Sequence, residues 1–235
     1  MLAALVAVFI LCIVPVVGAF TFLTPLLESY VSRSIQEEIG LAEAPEVDLR
    51  SEPSPDALSK RFEDGRVTLT DPELADGVRP EELTVDLAPF DLDVIGSVAG
   101  GRARTEGPLS GTLRAELPEE EVAKIVSSAT AAPVTDVELE EGYLIVGSEV
   151  EILGARFPVG VEGGMVLQDG VLRFEPGRVE ALGEPVPQQL ARGLLGSKEF
   201  VYPTDGLLFG GEISGVEVHR NRLVLTGEVE DLPVG

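Results

Sequence analysis

Few side chains in this sequence are of the types that carry chemistry. The chain of 235 residues has one His, one Cys and no Trp. His219 is the only imidazole, and it stands beside Arg220 and Asn221 on what reads as the wet side of a strand. No Ser occupies a Gly-x-Ser-x-Gly turn, so the sharp strand-to-helix corner that presents a hydrolase nucleophile is missing. Gly96, Gly100 and Gly101, with Ser97 and Arg102, form a glycine-rich stretch without the Gly-Lys-Ser/Thr ending of a phosphate loop, and it reads as a plain loop. Asp91 and Asp93 alternate with Phe90, Leu92 and Val94. On a strand that spacing puts both carboxylates on one face, where they could share a cation or an acid/base task. No twelve-residue calcium loop follows them, so the expectation is a solvated face. Glu119, Glu120 and Glu121 open a predicted helix, where the dipole favours negative charge. One Cys excludes a disulfide framework and a thiolate zinc site, and one His excludes a histidine metal centre. The expectation is a protein without a catalytic site, metal or cofactor.

Charge narrows the partners. There are 17 Lys and Arg against 41 Asp and Glu, for a net charge of -24. Such a chain repels nucleic acid, whose binding depends on cations that displace counterions from phosphate. General electrostatic attraction to anionic lipid surfaces is disfavoured for the same reason, and the acidity reads as serving solubility or a salty environment. The length fits one domain, or one domain and a tail.

The elements begin with an apolar run. The first ionisable side chain is Glu28, so Leu2 to Leu27 is uncharged and rich in Leu, Val, Ala, Ile and Phe. A helix of that length is able to cross a hydrocarbon layer of ~30 Å. The run is a transmembrane anchor or a signal segment. No Lys or Arg precedes it, and Val17-Gly18-Ala19 offers a cleavage site, but the run continues past Ala19, which favours an uncleaved anchor. Cys12 and Pro15 lie inside it as packing filler and a tolerated kink. Arg33, on its C-terminal side, taken alone argues for the bulk of the chain inside. From Leu26 to Ile39, Leu27, Tyr30, Val31, Ile35 and Ile39 recur at three and four, which predicts an amphipathic helix ending near Gly40 and Pro45. The organisation is therefore 1–27 anchor or signal, 28–45 amphipathic helix and linker, and 46–235 a β-rich domain.

Past Pro45 the apolar period falls to two. Glu46 to Arg50, Arg66 to Thr70, Glu82 to Leu87, Leu109 to Leu117 and Asp136 to Glu140 all alternate, as half-buried strands do. Asp169-Gly170 is the strongest hairpin turn, with Glu141-Gly142 and Arg220-Asn221 weaker ones. Two further helices are predicted, Glu119 to Ser128 and Val186 to Leu195. About ten strands with one apolar face each must fold over as a sandwich or barrel, or curl around a helix. The enclosed space is lined by Val, Leu and Ile. It is either filled by its own side chains or able to take acyl chains, since each buried methylene contributes ~0.8 kcal/mol without a directional partner.

From Gly65 to Leu232 the order of segments resembles the LmeA-like phospholipid-binding family of actinobacterial cell envelopes, formerly a domain of unknown function. Gly65-Arg66-Val67-Thr68-Leu69-Thr70, then Gly77-Val78-Arg79 and Leu83-Thr84-Val85-Asp86-Leu87, are similar to the family's first paired strands. Gly147 to Val161, with the Ile152-Leu153-Gly154 turn, and Gln168 to Leu172 look like its central hairpins. Pro187 to Leu190, Phe200-Val201-Tyr202-Pro203, Leu207-Leu208-Phe209-Gly210, Gly215 to Val218 and Leu223 to Gly227 match most closely. In departure from the family, no basic residues precede the apolar run, Ser51-Glu52-Pro53-Ser54-Pro55 replaces a Gly-Phe-Pro-like entry, and Leu208 stands where Pro is common.

The resemblance implies an α+β fold, with a curled, mainly antiparallel sheet packed against a few helices, like tubular lipid-binding modules. It implies export to the envelope side of the plasma membrane, with a single-pass N-terminal tether, and a phospholipid or lipid-linked glycan held in an apolar groove. On that reading Leu190, Leu194, Leu195, Phe200, Leu207, Leu208 and Phe209, with Val67, Leu69, Leu83 and Val85, are the expected lipid-contacting residues. The competing expectation is a structural or partner-binding envelope domain whose core is filled. An enzyme acting on lipid-linked sugars, with His219 or Asp91 in the reaction, is a third.

Overall fold

A computed structural model of the chain describes residues 24–38, 40–50, 61–73, 77–129, 134–152, 155–187, 200–204 and 211–232. Helix α1 (24–38) buries the stripe set by its spacing: Leu27, Val31 and Ile35, four apart, are 3% exposed or less. It stops where the chain turns left-handed at Gly40 (φ 73°), whose N–H closes on the Gln36 carbonyl at 2.9 Å. The helix is tied to β1 (Glu46–Arg50): Glu28 Oε1 accepts from the Leu49 N–H at 3.1 Å, and the Ser32 hydroxyl donates to the Pro45 carbonyl at 2.7 Å. Among the described residues no helix is long and apolar enough to cross a membrane, and most of the apolar run that begins the chain lies outside them.

The remaining strands are β2 (Arg61–Phe62), β3 (Asp64–Thr70), β4 (Glu82–Leu87), β5 (Phe90–Asp91), β6 (Leu109–Pro118), β7 (Val134–Glu140), β8 (Tyr143–Ile152), β9 (Ala155–Gln168), β10 (Val171–Ala181), β11 (Glu184–Pro185), β12 (Phe200–Pro203), β13 (Glu212–His219) and β14 (Arg222–Leu232). The other helices are α2 (Val94–Gly100) and α3 (Glu119–Ala129). One open sheet has the order β1-β3-β4-β6-β14-β13 and a second β11-β10-β9-β8-β7, with β12 on β10; β2 and β5 form a small pair. The fold is thus α+β, with antiparallel sheets and three helices among the described residues, where neither large sheet closes on itself.

By contacts the chain forms two compact units. The first comprises Met1–Leu69, Val85–Gly111 and Glu230–Gly235. Its packing turns on Gly65, where a side chain would press on Leu49 and Leu87, each 3.1 Å from the position of a Cβ. Those leucines and Phe90, which stacks on Phe62 at 5.3 Å between ring centroids, fill the space. The second unit comprises Thr70–Thr84 and Thr112–Val229. In it β7 to β10 are joined in register by hairpins, and the β9–β10 turn is the Asp169-Gly170 pair with both residues left-handed (φ 53° and 71°). The resulting two-residue turn matches the strand twist.

Three expectations are corrected here. The glycine-rich stretch read as a loop is mostly helical: α2 takes in Gly96 and Gly100, because Asp93 caps it and accepts from the Gly96 N–H at 2.9 Å. That same capping removes Asp93 from a strand, so Asp91 and Asp93 do not share a strand face; β5 ends at Asp91. The helix expected from Val186 does not begin there. The Val186 N–H instead returns to the Val179 carbonyl at 2.8 Å beside β10, and residues 188–195 of that expectation lie outside the described residues.

Candidate functional site

The four long strands of the second unit each separate into a wet and a dry face. Register sets out the dry one: Leu139, Leu144 and Gly163 form one row, Val137, Val146, Val161 and Val179 the next, then Ser148, Val159 and Ala181, then Val150 and Phe157. A β-bulge at Gly177 lets β10 keep this face, since Glu175 opposes Gly164 before it and Val179 opposes Val161 after it. Met165 and Leu172 continue the face towards the β9–β10 turn. The other face carries Asp136, Glu138, Glu162, Glu175, Arg178 and Glu180.

The dry face is unevenly covered. Leu139, Leu144, Val159, Val161, Leu172 and Val179 are buried to 5% exposure or less. Within the unit α3 packs against β7 and β12, while β13 packs against β7, β8 and β9. Val150, Phe174, Ala181 and Val186 pack on the Val159, Val161 and Val179 cluster but stay only half-buried, and Phe157 opposite Val150 does too. Phe174 lies over Gly163 on the neighbouring strand, and a Cβ there would meet the ring as well as the Glu175 carbonyl oxygen. The result is an apolar surface at the β8–β10 end with water against part of it. Apart from the Ser148 hydroxyl beside Val159, the described side chains of this face are apolar, and it suits hydrocarbon better than a polar substrate.

Two depressions in the described surface differ in chemistry from that face. One of about 340 Å³ lies among Asp136, Glu138, Gly147, Gly160, Glu180 and Leu182, on the wet side of the same sheet. Another of about 220 Å³ lies among Arg50, Asp64, Arg66 and Asp86 in the first unit. Both are rimmed by charge, so neither suits an acyl chain.

The helix α3 is anchored by carboxylates. Burial alone raises the Glu121 carboxyl, but hydrogen bonds from the Lys124 ammonium and from the Arg79 N–H (2.9 Å), with the charges of both residues, outweigh it and hold the group below its ordinary value. Glu119 Oε1 accepts from the Leu139 N–H at 2.8 Å. His219 ends β13 with Nδ1 3.2 Å from Glu141 and Nε2 3.2 Å from Glu217. It tops a junction of two hairpin tips, where the Gly142 N–H donates to the Val218 carbonyl (2.9 Å) and the Asn221 N–H to that of Leu139 (3.1 Å). That arrangement joins hairpins, and among the described residues the partners of the imidazole are the two carboxylates.

Among the residues expected to touch lipid, Val67 and Leu69 lie on β3 and Leu83 and Val85 on β4, all 3% exposed or less. Phe200 stands in β12 opposite Phe174 on β10. Leu190, Leu194, Leu195, Leu207, Leu208 and Phe209 lie outside the described residues. Sequence reasoning did not select Val150, Phe157, Phe174, Ala181 or Val186. Their signal was present: from Phe157 to Leu167 every second residue of β9 is apolar or Gly, and the register carries that face to β8 and β10.

The family model described as LmeA-like phospholipid-binding matches residues 21–228, a span that includes all three helices and β1 through β13. Comparison with curated proteins gave no match, and comparison with solved structures gave none.

Proposed function

This chain belongs to the LmeA-like phospholipid-binding family, and from that membership we propose that it holds the acyl chains of a phospholipid against the dry face of β8, β9 and β10. The observation that carries the proposal is the half-buried row of Val150, Phe157, Phe174, Ala181 and Val186 beside a fully buried valine cluster. Hydrocarbon laid there displaces water from apolar side chains while the lipid's polar head remains at the rim. Residues 1–27 serve as a single-pass membrane tether with the two units on the extracytoplasmic side, so that lipid passes between bilayer and protein over a short distance. The groove chemistry accepts a phospholipid and a lipid-linked glycan alike, because it reads hydrocarbon. The protein acts by binding and presentation and not by turnover.

A second reading, a structural or partner-binding envelope domain with no ligand, draws on the tight packing of Val67, Leu69, Leu83 and Val85. One experiment separates the two. Residues 21–235, produced without detergent, are expected to carry phospholipid in native mass spectrometry and to take up a fluorescent phospholipid. A preparation that is lipid-free and takes up none refutes the binding proposal in favour of the second reading.

A further inference from the structure

Helix α2 is an oddity on the surface of so acidic a protein. Its seven residues, Val-Ile-Gly-Ser-Val-Ala-Gly, carry no charge. Ile95 is 70% exposed and Val98 40%, and Ala99 is exposed beside them. Residues three and four apart share one face of a helix, so these three form a single apolar ridge in water.

The ridge is followed at once by two cations, Arg102 and Arg104, both exposed. Most of the chain's described cations are matched: Arg50, Arg66, Arg79, Arg114, Lys124, Arg156, Arg178, Arg220 and Arg222 each lie within 4.0 Å of a carboxylate. Arg102 and Arg104 form no ion pair among the described residues. Of the acids beside them, Asp93 is committed to the Gly96 N–H as the helix cap. The backbone fixes both arginines next to the ridge. Gly101 turns left-handed (φ 66°), the Arg102 N–H donates to the Ser97 carbonyl at 3.3 Å, and the Arg104 N–H donates to the Ser97 hydroxyl at 2.9 Å. The Arg104 carbonyl in turn accepts from the Asp93 N–H at 2.8 Å.

We propose that Ile95, Val98 and Ala99, together with Arg102 and Arg104, form a docking patch for the surface of a phospholipid bilayer, with the apolar ridge entering the headgroup layer and the guanidinium groups on lipid phosphates. Charge complementarity selects the occupant. A net charge of -24 opposes attraction to an anionic surface at long range, so contact has to be short-range and local. Exposed aliphatic side chains next to unpaired guanidinium groups provide that contact, since hydrocarbon gains on burial and Arg binds phosphate in a fork. The patch lies in the unit that also receives the chain from the apolar N-terminal run. The proposal deepens the lipid-binding reading and rests on it, because a carrier that exchanges lipid needs a face that meets the bilayer.

The test uses the full chain in vesicles of phosphatidylcholine, alone or with phosphatidylglycerol. Cys12 is changed to Ser, and an environment-sensitive fluorophore is placed through Ala99→Cys or, as a reference in the other unit, Leu182→Cys. The label at 99 is expected to be quenched by lipids carrying a nitroxide near the headgroup, and to be several-fold less open to aqueous iodide than the label at 182, more so with phosphatidylglycerol. Arg102→Gln with Arg104→Gln is expected to return it to the reference value. A label at 99 as open to iodide as that at 182 overturns the proposal. So does shielding that follows protein density and not lipid composition, which signals a second copy on the patch. Retained lipid, measured separately by extraction, keeps the two ideas apart: lipid retained with an open label defeats the patch alone, and a shielded label without retained lipid supports the patch while defeating the groove.

Discussion

If hydrocarbon lies on the dry face of β8–β10, wetting its open end must weaken lipid binding without unfolding the sheet. Val150→Thr, Ala181→Ser and Val186→Thr place one hydroxyl at each of three half-buried positions beside the Val159, Val161 and Val179 cluster. In the free protein these hydroxyls face water in part, so folding changes by about 1 kcal/mol in total. Under an acyl chain each loses that water with no partner in reach, at about 1 kcal/mol per group. The sum of about 3 kcal/mol corresponds to about a 100-fold rise in Kd for a fluorescent phospholipid. The matched control is Ile145→Thr with Val166→Thr, on the wet face of the same strands, which is expected to leave Kd unchanged. Urea unfolding of each variant checks the folding side. A triple variant that stays folded and binds lipid within about threefold of the parent would show that the acyl chains lie elsewhere.

Other consequences are equally direct. Gly163→Ala pushes a methyl against the Phe174 ring and the Glu175 carbonyl oxygen, and is expected to lower thermal stability by about 2 kcal/mol, with an unchanged melting temperature as the contrary result. Leu144→Ala, at a position with no exposure, is expected to lose about 3 kcal/mol in urea unfolding; a loss below about 1 kcal/mol would mean the β8 core collapses freely into the gap. Glu121 has a folded-state pKa below its ordinary 4.5, so its contribution is full above that pH and fades as pH falls through the lower folded value. Glu121→Gln is therefore expected to cost about 1 kcal/mol at neutral pH and to flatten the acid limb of the stability profile, and an acid limb identical to the parent's would contradict the assignment. Asp93→Ala removes the cap of α2 and is expected to raise amide exchange at Gly96 and Ser97 by about tenfold, whereas unchanged exchange would show that the loop after the helix suffices to hold it.

Much of the fold is legible in local pattern, and the reason differs from element to element. Alternation in Glu46–Arg50, Glu82–Leu87 and Leu109–Pro118 marks strands because a pleated chain with one dry face has no other way to distribute its side chains. Asp169-Gly170 and Arg220-Asn221 mark hairpins because few residues other than Gly, Asn and Asp tolerate a left-handed backbone there. Glycines in 96–101 look like a loop from composition alone. They form a helix because Asp93 supplies a cap and Ser97, buried and bonded to the Arg104 N–H, fastens its inner side. Alternation marks Val67, Leu69, Leu83 and Val85 as the dry side of β3 and β4, and all four are buried there, while how tightly a neighbour packs on them has no local sign in the sequence.

From the amino-acid order alone came the strands and their turns, the buried stripe of α1, the first turn of α3, the strong negative charge and the family. Apart from the family, which rests on the order of segments along the chain, these rest on neighbours within a few residues or on overall composition. The tertiary structure alone decided which part of a dry face stays open to water, where Glu121 finds the Arg79 N–H, and that Ile95 and Val98 face solvent beside two unmatched arginines. Exposure and pairing of that kind are set by segments that meet in space after tens of residues of intervening chain, as Leu144 meets Gly163 and Asn221 meets Leu139, and no short-range periodicity carries that information.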